Sequence, residues 1–84
     1  MTEQTLLSLA SIVTAGLTVT VGSIAPALAE GRAVVAALDA IARQPDVAST
    51  TTRTLFVGMA MVESTAIYCL VVALVLLFAN PLIP

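Results

Sequence analysis

The sequence predicts an all-α membrane protein: a two-helix transmembrane hairpin that assembles into a closed homo-oligomeric ring. Three observations carry this expectation. Two apolar runs are each longer than the roughly 20 residues a helix needs to cross a bilayer. A short polar break containing Pro45 separates them. The first run also presents small residues on two opposite flanks. With 84 residues, 60% hydrophobic and 10% charged, the chain is too short for two soluble domains and too apolar for one, so residues 1–84 read as a single transmembrane hairpin. A net charge of −2 with three basic residues offers no phosphate-binding footprint, which excludes nucleic acid as a partner. There is no His, and Cys69 is the lone cysteine. Neither a disulfide framework nor a metal cluster follows, and no cofactor is expected.

Helix 1 is expected over about 5–42, the loop over about 43–47 and helix 2 over about 48–79. Pro45 forbids helical continuity at the turn, and Pro81 ends the second helix. Arg32, Arg43 and Arg53 all lie toward the loop, while the amino terminus carries only Glu3. By the positive-inside rule the loop is cytoplasmic and both termini face the outside or periplasm. Ala27-Leu28-Ala29 before Glu30 has the form of a signal-peptidase site, but the start Met1-Thr2-Glu3-Gln4 is acidic where a signal peptide carries positive charge. The expectation is therefore an uncleaved chain.

Glu63 sits within the apolar stretch 55–78, where an ionised carboxylate costs several kcal/mol and marks ion chemistry. Glu30 similarly interrupts a charge-free run from Thr5 to Ala29. Counted from the centre of the turn, the two acids differ in depth by only roughly 3 Å at 1.5 Å per residue. Level carboxylates on partner helices point to a shared site; the alternative is two unrelated polar helix contacts.

Small residues recur along helix 1. Ser23, Ala27 and Gly31 line one side, and Ala25, Ala29 and Ala33 nearly the opposite side, because two residues turn a helix by about 200°. Such faces let helices approach closely in lipid and invite one neighbour on each flank. A repeated heterologous contact closes into a ring. Asp39 and Arg43 are spaced to pair at i,i+4, a contact worth a few tenths of a kcal/mol. Cys69 and Met59 are expected to make lipid or helix contacts.

Three segments carry a resemblance to a known family: Ala42-Arg43-Gln44-Pro45 in the loop, Val62-Glu63-Ser64-Thr65-Ala66-Ile67-Tyr68 in helix 2, and Phe78-Ala79-Asn80-Pro81 at its end. Over nearly its whole length the chain resembles the c subunit, the proteolipid of the rotor ring, of F-type rotary ATP synthases. The resemblance implies a ring in the bacterial inner membrane with helix 1 inside and helix 2 outside. Such a ring turns against the a subunit of the stator and drives the gamma and epsilon subunits of the central stalk. Glu63 would be the ion-carrying carboxylate and Tyr68 the donor of a charge-assisted hydrogen bond to it in a locked state. Arg43, Gln44 and Pro45 would grip the stalk, a role compatible with a topological anchor. The rotor protein itself would catalyse nothing, and the chain has no phosphate loop. A non-rotary oligomeric channel is the competing class, and it would leave the Arg43-Gln44-Pro45 loop without a purpose.

Sodium-binding members of that family use an acid followed by Ser, a carbonyl two residues before the acid, and a Gln on helix 1. The matching positions here are Glu63, Ser64, Met61 and, in place of Gln, Glu30, with Thr65 similar to the residue that holds a site water. An all-oxygen set suits Na⁺. Two acids and one Na⁺ would nevertheless leave the site at −1, whereas shared protons neutralise it. The expectation is therefore H⁺, with Na⁺ as the alternative. Arg32 points away from Glu30 on its own helix and has two readings: a cation that reaches an acid on a neighbouring hairpin and offsets its charge, which would favour Na⁺, or a residue reaching for headgroups.

The family's helix 1 usually carries glycines at alternate positions. Here Ser23, Ala25, Ala27 and Ala29 replace them and only Gly31 remains. Bulkier inner residues widen the spacing of inner helices, reduce the angle between neighbours and predict a larger ring. This departure is similar to the variant rotary ATPases called N-type.

Overall fold

The computed structural model describes residues 2–83. The chain is a hairpin with extents of 64 × 16 × 9 Å. It is built from α1 (Glu3–Gly22), α2 (Ile24–Arg43) and α3 (Ala48–Phe78), with a 3-10 turn at Pro45–Val47 joining α2 to α3. Among the described residues there is no strand. α1 and α2 follow one another along one side, and both pack against α3 on the other. Glu3–Arg43 and Pro45–Phe78 are each long and apolar enough to cross a bilayer.

The single helix expected over 5–42 is broken at Ser23. The cause is Pro26, which has no N–H to give to the carbonyl four residues back, that of Gly22. Proline is tolerated within a first helical turn, and Pro26 is the third residue of α2. Ser23 holds the two pieces in line. Its backbone N–H donates to the Val19 carbonyl at 3.1 Å, its hydroxyl donates to the same carbonyl at 2.6 Å, and its own carbonyl accepts from Ala27 N–H at 3.1 Å.

The ends of the helices follow from local chemistry. Thr2 caps α1, its hydroxyl accepting from the Thr5 N–H at 3.1 Å. Gln44 precedes a proline and is pushed out of the helical region, to φ −136° and ψ 78°, which stops α2. Arg43, in the last turn of α2, lies 3.3 Å from Asp39; both side chains are well exposed, so the pair adds at most about 1 kcal/mol. Beyond α3, Asn80 donates from Nδ2 to the Ser11 hydroxyl at 2.7 Å and accepts from Leu82 N–H at 2.9 Å. One side chain thus ends the helix and fastens it to α1.

Among the described residues only Ala15, Pro26, Ala37 and Ala73 are buried. The contact stripe of α3 passes through Thr51, Leu55, Met59, Val62, Ala66, Cys69, Ala73 and Leu76, at intervals of three or four residues. The closest approach lies at Gly22, where a Cβ would stand 2.5 Å from Cys69 Sγ and 3.0 Å from its Cβ. Glycine is required there by close packing alone. Large apolar residues cover the remaining faces, among them Leu17, Val21, Leu28, Val35 and Phe56. Those faces await lipid or neighbouring helices.

Replacing Gly22 with Ala is expected to destabilise the hairpin by about 1–3 kcal/mol through overpacking. Denaturation of the purified protein in mixed micelles, followed by circular dichroism, measures it, and adding Cys69→Ala should recover part of the loss.

Candidate functional site

Glu30 belongs to the stripe of α2 that meets α3. It lies four residues after buried Pro26 and seven before buried Ala37, and is itself half-buried. Glu63 lies on the edge of the α3 stripe, next to half-buried Val62, and is exposed. The two carboxyl groups are neighbours across the hairpin. Packing of Pro26 and Ala37 against α3 places the first acid, and the length of the Gln44–Val47 turn sets the register that brings the second opposite it.

The other residues expected near Glu63 are not gathered around it within one hairpin. Met61 and Thr65 each lie two residues away, so they are rotated about 200° from it on the helix, and Tyr68 about 140° by the shorter way round. Met61 and Tyr68 are 71% and 70% exposed, and Thr65 is exposed as well. Ser64 is half-buried and donates its hydroxyl proton to the Ala60 carbonyl at 3.0 Å. Its oxygen therefore keeps its lone pairs for an acceptor role. The expected site residues are therefore dispersed, with Glu30 on the contact stripe, Glu63 at one edge of it, and Met61, Thr65 and Tyr68 on the opposite flank of α3.

The small residues of α2 face outward. Ala25, Ala27, Ala29 and Gly31 are exposed, and a Cβ on Gly31 would meet nothing within 4 Å. Ser23 differs, being half-buried with its hydroxyl turned back on α1. On one flank Ala29, Ala33, Thr54 and Gly58 line a groove of about 520 Å³ that ends at Glu30. On the face of α2 turned away from α3, Leu28, Gly31, Arg32 and Val35 line one of about 690 Å³. Arg43, Gln44 and Pro45 stand exposed at the tip of the hairpin.

Three features of the site's framework lie outside the sequence expectations. The break before Pro26 is signalled by the proline itself. The Gly22 contact with Cys69 and the Ser11 bond to Asn80 join residues far apart in the chain, and no local pattern announces them.

Comparison with known proteins bears on this geometry. The family model for the ATP synthase C subunit matches residues 13–76. The chain is 63% identical over 81 residues to the ATP synthase c subunit numbered 2 of Cereibacter sphaeroides, covering 96% of each chain. It is 53% identical over 74 residues to the ATP synthase c subunit of Prochlorococcus marinus, covering 88% of this chain and 91% of the relative. The ATP synthase c subunit of a Synechococcus species is 47% identical over 76 residues, covering 90% and 94%.

Because the Ser64 hydroxyl is spent on its own helix, Ser64→Ala should change hairpin stability by no more than about 0.5 kcal/mol. The same denaturation in mixed micelles checks this, and any larger effect would mean that the hydroxyl bonds elsewhere.

Proposed function

Since the chain belongs to the family of ATP synthase c subunits, ring-forming, non-catalytic membrane components of that complex, we propose that it carries protons on Glu63, with Glu30 as partner. The observation that supports this most directly is the placement of Glu30 on the stripe of α2 that meets α3, with Glu63 as its neighbour across the hairpin. A bare carboxylate at this depth is costly, and a protonated pair is neutral without any further ion. In that neutral form Glu63 crosses the lipid-facing arc of the ring. It releases its proton on meeting a positive charge of the stator's a subunit and reloads from an access channel. Each charge moved gains about 2.3 kcal/mol per 100 mV, so several protons are summed for each ATP.

The opposed flanks support a specific assembly. The Glu63 flank of one hairpin faces the Met61, Thr65 and Tyr68 flank of the next, a heterologous contact that closes into a ring. Tyr68 then donates to the neighbour's carboxyl and locks it. The small flanks of α2 allow closer approach than the bulkier flanks of α3, which supports a ring with α1 and α2 inside and α3 outside. Ala25, Ala27 and Ala29 widen the inner spacing relative to glycine and favour a large ring, as in the N-type variant. The exposed Arg43-Gln44-Pro45 tip is cytoplasmic and grips the gamma and epsilon subunits of the stalk. Both termini face the periplasm of a bacterial inner membrane.

A second reading takes Na⁺ as the ion, and the Ser64 bond to Ala60 favours it, because the hydroxyl oxygen is left as an acceptor. Met61 would add its carbonyl, and Glu30 and Glu63 their carboxylates. That site holds an excess negative charge unless a proton accompanies the sodium.

Carbodiimide labelling of Glu63 in the purified ring separates the two, since the reagent attacks protonated carboxyls. Proton coupling predicts a rate that rises as pH falls and ignores Na⁺, while protection by millimolar Na⁺ would establish the sodium reading. Glu63→Gln is expected to abolish ATP-driven pumping in reconstituted vesicles. Glu30→Gln leaves one carboxylate, which a single Na⁺ neutralises, so labelling of that variant is expected to become Na⁺-sensitive.

A further inference from the structure

At the depth of Phe56 the two flanks of the hairpin are unequal. Phe56 lies seven residues before Glu63, so it stands within about 20° of the same line on α3 and about 10 Å nearer the loop. Its side is bulky and open, with Phe56 66% exposed. Thr54 and Gly58 lie two residues to either side of it and so about 200° round the helix, on the flank that continues through Met61 and Thr65. There, with Ala29 and Ala33 of α2, they wall the groove of about 520 Å³ that ends at Glu30. A Cβ on Gly58 would meet nothing within 4 Å, so the hairpin leaves this space unfilled by its own side chains. The α3 wall of the groove runs from Thr50 to Val62, and Phe56 is the midpoint of that interval.

Rotation about an axis normal to the membrane keeps every hairpin of a ring at one height, so residues of equal depth meet. In the ring contact proposed above, on which the assignment of Phe56 rests, the Glu63 flank of one hairpin faces the Met61 and Thr65 flank of the next. We infer that Phe56 of each hairpin fills the groove of the next and closes the loop-side approach to that hairpin's Glu30. A bulky side chain then meets a gap at matched depth, which is the packing that holds helices together in lipid. The hydroxyls of Thr50, Thr51 and Thr54 run along the groove from the loop side toward Glu30. Hydroxyls lining a gap of this size support a file of water. Such a file would let the acids exchange protons with the loop side at every angle of rotation, and ion flow would no longer require turning. A phenyl ring offers the water no hydrogen bond and interrupts the file. The displaced hydroxyls can bond back to their own helix, as Ser64 does to Ala60.

The test uses rings carrying Thr54→Cys and Cys69→Ala, embedded in nanodiscs that leave both faces open to a charged thiosulfonate. With Phe56 present the introduced thiol should react slowly; Phe56→Ala should speed the reaction at least about tenfold by opening the groove, and Phe56→Leu should fall between. If Phe56→Ala fails to assemble, Phe56→Leu carries the comparison. Slow reaction in every variant would mean that a lipid chain fills the groove, and fast reaction in every variant would mean that water does; either overturns the inference. Phe56→Cys combined with Ala33→Cys should be joined by a short bis-thiosulfonate into ladders of linked hairpins, and linkage within single hairpins alone overturns it too. Native mass spectra establish that the rings are intact. A chain with Phe56 present that forms no closed ring refutes the ring contact itself, whereas an intact ring whose thiol is indifferent to position 56 refutes only the plug.

Discussion

An ionisable carboxyl in hydrocarbon needs a partner at its own depth, and the register of this hairpin brings a second carboxyl beside the first. Glu30 is fixed because it shares a stripe with Pro26 and Ala37, which are buried against α3. Glu63 is brought opposite by two clamps at the ends of the molecule. At the loop, Pro45 keeps Gln44 out of the helical region and sets the length of the turn. At the far end, the bond from Asn80 to Ser11 pins α3 against α1. Sliding α3 by one residue along its helical path would shift Glu63 by about 1.5 Å and turn it by about 100°, away from Glu30. The small residues between the clamps let the helices approach closely enough for the register to matter.

Much of this arrangement is legible in the sequence because it follows from short-range rules. Two apolar runs and a proline-bearing break define the helices, and equal counts from the turn place Glu30 and Glu63 level. The Asp39 pair with Arg43 follows from helical spacing. Helix 1 reads as unbroken in the sequence because apolar periodicity runs through Ser23 without interruption. Only the missing N–H of Pro26 distinguishes that turn, and the Ser23 hydroxyl conceals the fault by bonding back to Val19. The Gly22 contact with Cys69 depends on how two helices lean together, which no local pattern encodes.

The flanking residues explain why a single hairpin is an incomplete machine. Met61, Thr65 and Tyr68 group with Glu63 by nearness in sequence, yet helical rotation sends them to the opposite flank. Nearness along a helix at intervals of two or five residues means separation round it. In the proposed ring these residues serve the acid of the adjacent hairpin, so a site that looks dispersed on one chain is gathered by repetition. The near absence of a core has the same origin. With only four small residues buried among those described, the hairpin draws its stability from lipid and from its neighbours more than from itself.

The unequal surroundings of the two acids also divide their labour in the proposed rotor. A carrier must be neutral while it faces lipid and must still surrender its ion to the stator, and one group in one environment serves those demands poorly. Glu63 is exposed on the flank of α3, the outer helix of the proposed ring, where a stator can reach it. Glu30 is half-buried on the inner helix, where only the hairpin and its neighbour can reach it. In that proposal exchange belongs to Glu63, while protons on both carboxyls make the loaded state neutral. A neutral Gln at position 30 could donate a hydrogen bond to a Glu63 carboxylate, but it could not accept a proton as that carboxylate discharged. In the proposed proton carrier the second acid thus adds a place for the proton to wait, and this, more than an extra ligand, is what it would contribute.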